Sequence, residues 1–235
     1  MTATAKEPAK LIAFHGDPAI KEKYLQRVRA HAAADELIKG VYWEGGKGCA
    51  VGCTIHSGNH DRYEDELGIP WQLAVCEDST FERLPNELSK TWPERFLAAI
   101  PVGADLSRVF SRLCLWVLTD EEHGIIKHIQ REDWKKDAQK IADLHRRVIA
   151  GGTVTRAEWE EAAYASASAS AYASASAYAS ASASASAYAS ASASAYASAS
   201  AYASASAEWR EAFDKAFRES VVRFSEKLLE LLAAA

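Results

Sequence analysis

The clearest periodicity lies near the C-terminus, where Trp209, Phe213, Phe217, Val221, Phe224, Leu228 and Leu232 recur at spacings of four and three. Apolar positions so spaced line one side of a 3.6-residue coil, so residues 208–235 predict an amphipathic helix. The same period, through Ile129, Trp134, Ala138, Ile141, Leu144 and Val148, predicts a helix over residues 125–150, stopped by Gly151-Gly152. Residues 106–118 are apolar nearly throughout and read as a central core helix. Asp17-Pro18 is an N-cap with proline at the first helical position, opening a helix that is expected to run to about Lys39. Shorter helices are expected over 48–57, 60–67, 71–84 and 93–100, the last capped by Thr91. Thr155 and Glu158 form a capping-box pair that opens one more helix.

That pattern stops at residue 164. From there to residue 207 every odd position is Ala and every even position is Ser or Tyr, with tyrosines at 164, 172, 178, 188, 196 and 202. The spacings 8, 6, 10, 8 and 6 describe a 24-residue unit followed by a slightly truncated copy. Strict alternation is ordinarily a strand signature. A single strand of this length would reach about 145 Å at 3.3 Å per residue, and no Gly, Pro, Asn or Asp marks a reversal. As a helix it would span about 66 Å. Near-identical helical words, AEWEEA and AEWREA, stand at its two borders, which favours a helical expansion over extended chain or disorder. The 16 serines would cost that helix roughly 8 kcal/mol relative to polyalanine, so packing against another surface is needed to hold it.

The expected fold class is therefore all-α. Residues 1–152 are expected to form a compact helical domain, and 153–235 a repeat-containing helical element, either one long helix or a hairpin. The net charge of −5 gives no support for nucleic-acid binding. No apolar run reaches the roughly 18–20 residues of a membrane span, and the N-terminal residues lack the apolar stretch of a signal peptide, so a cytoplasmic protein is expected. Cys49, Cys53, Cys76 and Cys114 are too few for a disulfide scaffold and read as reduced thiols.

Chemistry concentrates in GKGCAVGCTIHSGNH. Cys49, Cys53, His56 and His60 follow one another at spacings of 4, 3 and 4, which puts them on one side of a continuous helix. Neighbouring pairs are suited to a soft or borderline ion such as zinc, although the four together would span about 16 Å on a straight helix. The same stripe is also what a buried core looks like. As a nucleophile Cys49 is the better choice, because a helix N-terminus and Lys47 would lower its pKa. His56 or His15 would serve as its base, with Glu44 to orient it. Glu77, Asp78 and Glu82 share one predicted helix and are expected on a solvated face. Trp43, Trp71, Trp92, Trp116 and Trp134 are expected in the core rather than around a ligand.

The segments GKGCAVGCTIH, ELGIP and TWPERFLAAIPVGADLS resemble a group of uncharacterised bacterial and phage-encoded proteins that continue into an alanine-rich C-terminal helix. The resemblance implies a phage or mobile-element context and brings no activity, cofactor or catalytic residue with it. The expected function is a non-enzymatic interaction or assembly protein, a homo-oligomer or the partner of another protein. The alternatives are a metal-binding or cysteine-nucleophile enzyme centred on Cys49, Cys53 and His56, or a flat Ser/Tyr surface for a repetitive solid.

Overall fold

In a computed structural model, the structure describes residues 11–59, 61–162 and 207–235, with side chains in the last segment from residue 214. His60 and the Ala/Ser/Tyr tract as far as residue 206 lie outside the described residues, and with them the helical reading of that tract. The protein is predominantly helical, as expected of an all-α chain. The helices are α1 (Pro18–Ala33), α2 (Ala50–Ile55), α3 (Arg62–Leu67), α4 (Trp71–Arg83), α5 (Asn86–Ser89), α6 (Trp92–Ala99), α7 (Val109–Thr119), α8 (Glu132–Ile149), α9 (residues 156–162) and α10 (Ala207–Ala233).

Two compact units divide the chain. One comprises residues 1–110 and 216–235, the other residues 111–215. This division falls inside α7, and α10 belongs to the first unit from Ala216 onward. The reason lies in the apolar stripe of α10. Val221, Leu228 and Leu232 are buried in it together with Ser225, and Arg95 of α6 grips Glu226 with hydrogen bonds of 2.8 and 3.0 Å.

In the first unit α2 is the innermost element: all six of its residues are buried, and it packs against α1, α3, α4 and α6. Its small residues permit this. A methyl group on Gly52 would lie 1.7 Å from the Tyr42 carbonyl oxygen, so only glycine lets the 41–43 backbone cross there. That backbone belongs to a hairpin, β1 (Trp43–Glu44) and β2 (Lys47–Gly48), paired antiparallel with Trp43 opposite Gly48. Gly45 and Gly46 supply the two positive φ angles, 58° and 85°, that its two-residue turn requires.

Asp17 caps α1 as expected, accepting from the Ala19 amide at 2.8 Å. The helix ends earlier than Lys39, however. Asp35 turns left-handed (φ 54°), and the next residues run beside β2, with the Gly48 amide donating to Glu36 O and the Ile38 amide to Gly48 O. A strand-like partner for these backbone groups outweighs continued helix. Thr91 stands at the N-cap of α6 but its hydroxyl donates to Leu88 O instead of capping.

In the second unit Leu118, Ile141, Ala142 and Ala162 form a core, flanked by Leu115, Ile126, Leu144 and Trp159. The helix expected over 125–150 is split into a 3₁₀ turn, Ile125–His128, and α8, with Arg131 extended between them. The capping box at the start of α9 forms in both directions: Glu158 accepts from the Thr155 amide at 2.8 Å, and the Glu158 amide donates to the Thr155 hydroxyl at 3.3 Å.

Candidate functional site

Cys49 occupies the N-cap of α2, near the helix terminus expected for it, but its surroundings reverse the expected acidity. The thiol is buried, receives the Gly52 amide at 3.4 Å and faces Tyr42 O at 3.5 Å. Burial first, and then the neighbouring Asp78 carboxylate, push its pKa far up, outweighing the helix terminus. Cys53, one turn on, donates to Gly48 O at 3.3 Å, and burial pushes it up to about 12. Both thiols stay protonated and behave as small core residues.

The histidines proposed as bases do not reach Cys49. His15 sits in a left-handed turn (φ 52°) and bonds to the Asp65 carbonyl at 3.1 Å. His56 terminates α2 in the left-handed conformation (φ 52°, ψ 44°), a backbone state that costs a non-glycine residue about 1–2 kcal/mol. That turn swings its ring out of the Cys49–Cys53 line. Among the described residues no three His, Cys, Asp or Glu side chains are gathered to hold an ion. The set Cys49, Cys53 and His56 is therefore not brought together, and its fourth member, His60, lies outside the described residues.

What the turn creates instead is a cluster between three elements. The His56 ring stacks on Trp43 of β1, with centroids 4.6 Å apart and planes 13° from parallel. Its Nε2 meets Nε2 of His31, on α1, at 2.9 Å, and the two rings stand at 86°. His31 also lies edge-on to Trp43 at 5.6 Å. On its other side, His31 Nδ1 stands 2.6 Å from Glu36 Oε2, a distance at which Nδ1–H donates to the carboxylate. Glu36, His31 and His56 thus form a continuous chain that ends on an exposed imidazole. Partial burial, and then the charges of Arg27 and His31, hold His56 below the usual histidine range. Arg27 is fixed close by, donating to Thr54 O at 2.9 Å.

His31 and Glu36 escaped the sequence reading. With α1 extended to Lys39 the two would point to different sides of one helix; the left-handed Asp35 is what folds Glu36 back. Nothing in the Ala-rich run around His31 signals a partner 25 residues later.

A second polar group is buried on α4. Tyr63 donates to Glu77 Oε2 at 2.6 Å, and Trp92 Nε1 donates to the Glu77 carbonyl at 2.9 Å. Glu77 is fully buried, its Oε1 has no hydrogen-bond partner among the described residues, and Asp78 is nearly buried. Burial pushes the Glu77 carboxyl well above the usual carboxylate range. The solvated face expected for Glu77 and Asp78 is thus corrected. Their helix turns that side inward, against α3 and α6.

No protein family, curated protein or solved structure matches the chain. Among the described residues no helix is long and apolar enough to cross a membrane.

Proposed function

We propose that this chain is an interaction or assembly protein, of the accessory kind that phages and mobile elements carry, which associates with further copies of itself through the Ala/Ser/Tyr tract. The observation that carries this reading is the anchoring at both borders of the tract. Ala162, at the entry, is part of an apolar core, and α10, at the exit, buries Val221, Leu228 and Leu232. A low-complexity tail needs no such attachment, and the tract between these borders carries no charge and a hydroxyl at every second position. Small side chains allow close approach of a second copy, and six tyrosines supply aromatic area at low entropic cost. A cytoplasmic setting belongs to the same proposal, in keeping with four free thiols.

The cysteine-centred alternative is the weaker of the two. A nucleophilic thiol needs an accessible thiolate, and Cys49 is buried, protonated and out of reach of His15 and His56.

Sedimentation velocity of the full chain across a wide concentration range tests the proposal. The sedimentation coefficient is expected to rise with concentration, and to stay at the monomer value when all six tract tyrosines are changed to Ala. A monomer at every concentration, or identical behaviour of the two proteins, would end it.

A further inference from the structure

We propose that His31 and His56 bind a divalent first-row transition ion, zinc or a near neighbour, through their facing Nε2 atoms, with Glu36 holding His31 from behind. This site is separate from the assembly reading and from the two cysteines.

The geometry is close to what such an ion requires. Imidazole ligands sit about 2.0–2.1 Å from zinc. Two of them 2.9 Å apart subtend roughly 90° at the ion, the angle between adjacent positions of an octahedral or square arrangement. Opening the pair by about 0.5 Å brings it to the tetrahedral angle. Ligating histidines characteristically donate their other ring N–H to a carboxylate, which fixes the tautomer and raises ligand basicity. The 2.6 Å contact between His31 and Glu36 is that arrangement. It leaves His31 Nε2 as a lone pair directed at His56. In the ion-free protein the His56 Nε2–H points at this lone pair; on binding, that hydrogen passes to His56 Nδ1 by way of solvent, and the ion sits beside the line between the two nitrogens.

The backbone supports the same reading. The left-handed conformation of His56 is paid for by the rest of the fold, and such strain gathers at functional positions. Trp43, stacked on the His56 ring, limits the orientations that ring can take. His56 is exposed, so water completes the coordination shell and leaves positions open for exchange. Arg27 opposes the ion with its charge, while Glu36 favours it.

Calorimetric titration of the intact, metal-free chain with Zn²⁺ is the test. One equivalent is expected to bind at least tenfold more tightly than in His31→Gln or His56→Asn; asparagine tolerates the left-handed backbone and so keeps the fold. Glu36→Gln is expected to weaken binding by about 10–100-fold, the usual effect of removing such a carboxylate. Variants that titrate like the parent protein would overturn the site. Should a variant fail to fold, the parent protein decides alone through diethylpyrocarbonate labelling. Saturating Zn²⁺ is expected to protect His31 and His56 and to leave the exposed His123 reactive. Unchanged labelling of His31 and His56 would overturn the proposal equally.

Discussion

The Gly52 α-carbon lies so close to the Tyr42 carbonyl that a methyl group there would stand 1.7 Å from its oxygen. This contact seats the hairpin on the first turn of α2 and thereby sets where Trp43 meets His56. Gly52→Ala is expected to destabilise the protein by about 3 kcal/mol or more, since the obstacle is backbone and cannot rotate aside. Urea unfolding monitored by far-UV circular dichroism reads the effect. A midpoint within experimental error of the parent protein would show that the hairpin can move away at little cost.

The attachment of α10 rests on its apolar stripe more than on its ion pair. Leu228 is fully buried, so Leu228→Ala is expected to cost about 3 kcal/mol. Arg95 and Glu226 are both solvent-exposed, and their coupling in a double-mutant cycle is expected near 0.5 kcal/mol. The reverse order of these two effects would mean that charge, rather than burial, holds the helix in place.

Thiol reactivity distinguishes a core cysteine from a nucleophile. With a pKa of about 12, Cys53 at pH 8 has roughly a thousandfold less thiolate than a cysteine at its ordinary value of 9.0. Labelling of Cys49 and Cys53 by a disulfide reagent is expected to be slow in the folded protein and to become fast only on denaturation. Rapid labelling of Cys49 in the folded chain at neutral pH would restore the catalytic alternative.

Glu77 makes stability depend on pH with a definite sign. Its folded pKa lies above the ordinary 4.5, so above that value the folded state binds more protons than the unfolded chain. Stability from this group is complete below pH 4.5 and is lost as pH rises through the folded value. Glu77→Gln removes this dependence while keeping an acceptor for the Tyr63 hydroxyl. The urea midpoint of the variant is expected to gain on the parent protein over the interval above pH 4.5. Parallel curves over that interval would show that Glu77 is ionised in the folded state.

Much of the helical framework was legible in local signals. Asp17-Pro18, the Thr155–Glu158 capping box and the stripe through Val221, Leu228 and Leu232 each depend on neighbours within one or two turns, and each forms. Less legible were helix ends decided from a distance. α1 stops before Lys39 because Glu36 and Ile38 find backbone partners in Gly48, a choice no propensity encodes. The inward side of α4 is illegible in the sequence for a related reason. Glu77 is a charged residue by type, and only the packing shows it buried, with the Tyr63 hydroxyl bonded to its carboxyl.

The site divides along the same line. The amino-acid order determined that Cys49 would begin α2 and that Cys53 would follow one turn on within it, because helix periodicity is a local property. Tertiary packing decided the rest. It buried the two thiols, turned His56 left-handed at the end of α2, and brought it to His31, which lies 25 residues earlier in the chain. Contacts across such separations form only when several helices pack together, and one linear pattern records the preferences of each helix but not the partner it will meet.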